Sequence, residues 1–176
     1  MKVSSPGRAI LLFLAVFLLL MILLPLLHPY GSFTELDGRA GVIDNWSKLS
    51  FADPLSRGVY FLGDLFCHQE TSRSFIINGS QMAFCQRDVS ILTGAIVGLI
   101  ATDEKISVIP IKNKTIPLIG VLMIVSTLIE WGIEFVFNVD LLAGRVATGL
   151  LAGAGIALIF QYFITKEYEK VVFKRD

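Results

Sequence analysis

The sequence predicts an all-α polytopic membrane protein: a four-helix transmembrane bundle with a short amphipathic helix and a loop on the outer side. Three observations carry that expectation. Hydrophobic residues make up 54% of the chain and charged residues only 17%, several apolar runs approach the thickness of a bilayer, and Lys and Arg are placed asymmetrically around them. A typical soluble domain carries roughly a quarter charged residues, so most of this surface is built for lipid. Fifteen basic and 15 acidic residues sum to a formal net charge of zero, which offers no field to nucleic acid and excludes it as an expected partner. Two cysteines are too few for a disulfide-dense scaffold, so stability must come from packed apolar surface.

The first span, residues 10–27, is almost wholly Leu, Ile, Phe, Val and Ala, and at ~1.5 Å per residue it nearly covers a hydrocarbon core of ~30 Å. Lys2 and Arg8 precede it as in a secretory leader, but Leu26-Leu27-His28-Pro29-Tyr30 lacks a small-x-small cleavage site, which predicts a retained anchor. Residues 116–138 and 141–163 form two more spans, joined by a tight turn at Val139-Asp140. Residues 86–102 are short for a crossing. They suffice if the helix starts close to Cys85 or if neighbouring helices cover its ends.

Charge placement favours all four crossings. Lys2, Arg8, Lys105, Lys112, Lys114, Lys166, Lys170, Lys174 and Arg175 then fall on one side, as expected of cytoplasmic loops. Both termini are therefore expected in the cytoplasm of a cell-membrane protein, with the segment 28–85 outside. Within that segment, 29–50 shows no period and reads as a loop. Asp53-Pro54 offers an N-cap followed by proline at the first helical position, and Leu55, Val59, Leu62 and Phe66 follow at helical spacing. That short helix ends near Cys67-His68-Gln69, and residues 74–77 lead into a turn at Asn78-Gly79. Asn45-Trp46-Ser47 and Asn78-Gly79-Ser80 match the glycosylation sequon, a pattern too common to carry an argument.

The chemistry gathers at the end of the outer segment. Cys67, His68, Cys85 and Asp88 are the ligand types that tetrahedral zinc or another transition metal accepts, and Cys85 and Asp88 stand three apart like the arms of a knuckle. Neighbouring side chains point apart on a helix, so Cys67 and His68 serve together only if the helix unwinds there. A Cys67–Cys85 disulfide closing a loop of about 18 residues is the plainer alternative, worth roughly 3 kcal/mol; free, redox-active thiols are the third.

The run Cys67-His68-Gln69, Arg73-Ser74-Phe75, Gly79, then Cys85-x-Arg87 before a spanning helix resembles an uncharacterised family of archaeal and bacterial multi-pass membrane proteins, domain of unknown function 2085. The resemblance extends over about 54–163. The family commonly reads Cys-x-Arg-Cys in the second block, where this chain has Asp88. It tends to have an Asp and a Gln four apart in one span and Arg-x-x-Thr-Gly in the next, where this chain has Glu130, Glu134, Arg145, Thr148 and Gly149. What the resemblance implies is a shared architecture and a Cys/His-rich site; it brings no activity.

Glu130 and Glu134 lie on one helix face, and each carboxyl costs about 2.5 to 3.5 kcal/mol in the bilayer interior. Arg145, returning in the next helix at the depth of Glu134, is the expected ion partner. Glu130 is left over as a buried, protonated acid, suited to a metal, a proton or a substrate. Together with Thr148, and with Arg73 and Arg87 as anion or structural contacts, these groups are expected to line one polar pocket in the outer half of the bundle, which His28 could join. Gly94, Gly98, Gly149 and Gly153 would let the helices close around it.

Three function classes follow: a membrane-embedded enzyme acting on a lipid or isoprenoid head group, a metal-binding or electron-transfer subunit, and a small proton-coupled transport module. So few helices make a thin transporter, so the expected partners beyond the lipid bilayer are further copies of the chain or other membrane subunits. No Ser-His-Asp order, phosphate loop or His-Glu-x-x-His motif points to a named enzyme class. The reading favoured is a four-helix membrane protein with an outer-side Cys/His/acid metal site.

Overall fold

The computed structural model describes residues 6–39, 41–103 and 113–173. Lys2, Lys105, Lys112, Lys174 and Arg175, which carry much of the expected charge asymmetry, lie outside the described residues. Among the described residues, five α-helices, one 3-10 turn (Thr71–Arg73) and one hairpin follow in the order α1 (Pro6–Leu27), α2 (Pro54–Phe66), the 3-10 turn, β1 (Ser74–Ile77), β2 (Ser80–Cys85), α3 (Gln86–Ala101), α4 (Ile116–Phe137) and α5 (Leu142–Phe173). Three of them, α1, α4 and α5, are long and apolar enough to cross a membrane. α3 has 16 residues, ~24 Å at 1.5 Å each, and falls short of a ~30 Å hydrocarbon core.

The contacts divide the chain into two compact units. One comprises Val16–Val89, the other Met1–Ala15 with Ser90–Asp176. In the second, α4 and α5 form a hairpin whose turn is closed by Asn138 in the left-handed conformation (φ 49°), a cap that Asn adopts more readily than residues other than Gly. α4 buries Ile116, Gly120, Glu130 and Glu134, while Leu118, Leu122, Leu128, Ile129, Phe135 and others face outward. Such inverted amphipathicity suits lipid, because the polar groups turn inward to partners. Gly120 and Gly155 pack backbone to backbone: a Cβ on the first would meet the carbonyl oxygen of the second at 2.7 Å. Gly94 and Gly153 likewise leave no room for a Cβ against the backbones of α5 and α3, as expected of small residues in a membrane interface. Thr127 Oγ1 donates across to the Thr148 carbonyl at 2.7 Å. Arg8, at the start of α1, holds Asp103, just beyond α3, with two bonds of 2.7 and 3.0 Å.

The other unit corrects the all-α expectation. β1 and β2 pair antiparallel, with Ile77 opposite Ser80 and Ile76 opposite Gln81. The turn between them holds both Asn78 (φ 53°) and Gly79 (φ 69°) in the left-handed region, which is what a two-residue hairpin with the twist of its strands requires. A bulge between Ser74 and Ile76 brings Ser74 opposite Cys85, and α3 begins at the next residue. Around the hairpin, Phe33, Leu36, Leu49, Tyr60 and Met82 form a buried core, with the Phe33 and Tyr60 rings stacked at 4.0 Å. The stretch before α2 is irregular, yet its Phe33, Leu36 and Leu49 supply much of that core.

Helix α2 begins as its sequence requires, with the Asp53 carboxylate accepting from the Leu55 and Ser56 amides and Pro54 at the first position. The hydrogen bonds from Ser56 hold the Asp53 carboxyl below its ordinary value. The helix buries Ser56, Val59, Tyr60, Gly63 and Asp64, whereas Leu55, Leu62 and Phe66 of the apolar period point out. The reason is polar, since Asp64 and the neighbouring Tyr60 are drawn into a hydrogen-bond network that the apolar period does not report.

Candidate functional site

Each of the two units holds one cluster of the residues singled out in the sequence. In the first, α2 ends at Cys67, whose amide still donates to the Gly63 carbonyl at 2.8 Å while its backbone turns extended. Cys85 ends β2 and Asp88 sits in the first turn of α3. The hairpin returns the chain so that the two Sγ atoms and a carboxylate oxygen of Asp88 all lie within 4.8 Å of one another. Cys85 Sγ donates to Asp88 Oδ2 at 3.0 Å. The spacing is that of a helix N-cap and its third residue, with an acid favourably placed at the positive end of α3.

Both cysteines are free thiols, Cys67 buried and Cys85 partly so. The hydrogen bond from Cys85 draws the Cys67 thiol below its ordinary value. The Cys85 thiol is pushed far up, first by its bond to Cys67, then by burial and by the Asp88 charge.

His68 is exposed and outside this cluster. The backbone explains it, because the next residue, Gln69, is in the left-handed conformation (φ 48°) and turns fully inward. Gln69 Nε2 donates to the Ala83 carbonyl at 2.8 Å, its Oε1 accepts from Asn45, and its carbonyl accepts from Gln81 Nε2 at 2.9 Å. Asn45 also bonds the buried Asp64 carboxylate through both its amide and its side chain, each at 2.9 Å, and Tyr60 donates to the Gln81 carbonyl at 2.6 Å. Gly63 is needed beneath this network, since a Cβ there would overlap the Ala83 carbonyl. These residues position Cys67 against Cys85. Gln69 was visible in the signature, but Asn45, Asp64 and Gln81 carried no signal of their own. Both sequon asparagines are committed inside the fold: Asn45 is wholly buried, and Asn78 Nδ2 donates to the Pro25 and His28 carbonyls.

Arg73 is exposed and paired with Glu70 at 3.1 Å, and Arg87 is half-buried in the first turn of α3. His28 donates through Nδ1 to the Leu24 carbonyl at the end of α1 and faces Asp53 through Nε2 at 3.4 Å.

The second cluster lies in the α4–α5 hairpin. Arg145, 2% exposed, bonds Glu134 through Nε at 2.8 Å and Asp140 through a terminal nitrogen at 2.6 Å. Glu134 also accepts from the Leu141 amide at 3.0 Å, so it caps the start of α5 where the helix dipole favours an anion. Glu130 is buried one turn before Glu134; it lies against Gly144, where a Cβ would come within 3.3 Å of its Cγ. Thr148 is bonded to its own helix, through Oγ1 to the Gly144 carbonyl. Asp140 is the member that sequence reasoning missed, although it was the nearest acid in the turn.

The comparisons agree with the resemblance read from the signature. The family model described as "Predicted membrane protein (DUF2085)" matches residues 67–159, just over half of the chain. The chain belongs to this family. The matched region opens at Cys67 and takes in Cys85, Asp88, Glu130, Glu134 and Arg145. An uncharacterised protein of the archaeon Methanocaldococcus jannaschii is 31% identical over 121 residues, covering 66% of this chain and 72% of its own length. No solved structure matches the chain.

Proposed function

We propose that this family member is a metal-binding membrane protein in which Cys67, Cys85 and Asp88 hold zinc or another transition metal. The convergence of their ligand atoms within 4.8 Å carries the reading. Two thiolates and a carboxylate supply three ligands. With His68 turned outward, the fourth tetrahedral position is open, the arrangement of catalytic rather than structural zinc sites. An open position also suits a membrane-embedded enzyme that polarises a lipid or isoprenoid head group. In the other unit, two buried carboxyls one turn apart in a spanning helix, Glu130 and Glu134, support proton storage as a second reading.

Four crossings, with both termini in the cytoplasm and 28–85 outside, complete the proposal. Supporting the fourth is the Arg8–Asp103 pair, which ties the end of α3 to the start of α1.

Metal content and thiol counting on protein purified in mild detergent test the reading together. The expected result is one metal per chain in wild type and in His68→Ala, and loss of it in Cys85→Ser. Absence of stoichiometric metal, with both thiols blocked until reductant is added, would instead establish a disulfide.

A further inference from the structure

We infer that α2 is seated in the boundary between lipid head groups and acyl chains, with the stripe Leu55, Gly58, Leu62 and Phe66 turned to the bilayer. These residues recur at i, i+3, i+7 and i+11, one face of a helix. All four are exposed, Leu55 by 53%, Leu62 by 37% and Phe66 by 68%, and no charged residue interrupts them. The two charges of α2 are placed elsewhere: Asp64 is buried on the opposite face, and Arg57 lies over the Trp46 ring at 4.1 Å. A helix facing water would carry its charges on this stripe.

The occupant follows from continuity with α1. That helix is long and apolar enough to cross a membrane, and the residue just beyond it, His28, touches the N-cap of α2 through Asp53. Its ring also packs edge-on against Phe33 at 4.8 Å, which in turn stacks on Tyr60 of α2. α2 therefore begins at the level where the chain leaves the bilayer. Its 13 residues span only ~20 Å, too short to cross, which leaves a helix lying in the interface. Phe51, 55% exposed, and Trp46, 47% exposed and edge-on to Phe61 of α2 at 5.6 Å, are aromatic types that favour this depth. The face contains none of the proposed metal ligands, so the inference stands or falls apart from that reading.

Tryptophan fluorescence in vesicles tests it. Trp131→Phe leaves Trp46 as the reporter, and a second variant adds Leu62→Trp to a chain with both native tryptophans replaced by Phe. In vesicles of brominated phosphatidylcholine, emission is expected to fall about twofold or more relative to unbrominated lipid, with little quenching by aqueous acrylamide. Quenching by acrylamide and not by brominated lipid would overturn the inference in favour of water. Protection from both quenchers would also overturn it, by showing that another protein surface covers the face.

Discussion

Arg145 concentrates in one side chain the reason why charges can be kept inside an apolar hairpin. Its guanidinium answers two carboxylates, Glu134 and Asp140, and Glu134 in turn answers the Leu141 amide. Removing the arginine leaves both acids without it, so Arg145→Leu is expected to cost about 3–5 kcal/mol, the range for breaking a buried pair. Glu134→Gln should cost less, because Asp140 remains on the arginine and the new amide oxygen can still accept from Leu141. The double change should partly restore stability. Thermal unfolding of the four proteins in detergent checks this, and strictly additive losses would refute the coupling. The Glu134–Arg145 pair was legible from spacing alone, since residues flanking a short turn return to the same depth. The inward turn of Gln69 was not, because its left-handed φ is a property of the folded loop and leaves no periodic trace. It is also what sends His68 outward and reduces the expected four-ligand set to three.

At the level of elements, apolar length was the readable quantity and burial direction was not. The spans α1, α4 and α5 stand out because a bilayer imposes long uninterrupted runs. β1 and β2 have four and six residues without clean alternation, and only Asn78-Gly79 announced them. α2 shows the same limit: the helical spacing of Leu55, Val59, Leu62 and Phe66 was readable, the side that the helix buries was not, and Leu55, Leu62 and Phe66 are exposed. Helix contact depends on glycines whose neighbours no sequence reveals. Gly153→Ala is expected to destabilise the protein by about 1–3 kcal/mol through overpacking, because the new Cβ would overlap the Ile91 carbonyl of α3. Gly132→Ala, in a helix position with nothing within 4 Å, should instead stabilise by up to about 1 kcal/mol through helix propensity. Melting temperatures in one detergent distinguish the two. Equal shifts would mean that α3 and α5 do not pack through Gly153.

For the molecule as a whole, the number of crossings decides which side of the membrane the α4–α5 turn meets. By length α3 falls short, and support for its proposed crossing comes from connection: the Arg8–Asp103 pair holds its far end beside the start of α1. An ion pair with bonds of 2.7 and 3.0 Å at the end of a 16-residue helix would let it complete the proposed passage with its end groups satisfied by protein. The consequence is a sidedness that three crossings cannot reproduce. With four, residues ahead of α2 are outside and those just before α4 are inside; with three, both are outside. Asn45 is a poor labelling position because it is wholly buried, whereas Arg39 and Lys114 are exposed. In intact cells a membrane-impermeant maleimide is expected to label Arg39→Cys above the parent protein and to reach Lys114→Cys only after permeabilisation. Labelling of both positions in intact cells would remove α3 from the set of spanning helices and leave three.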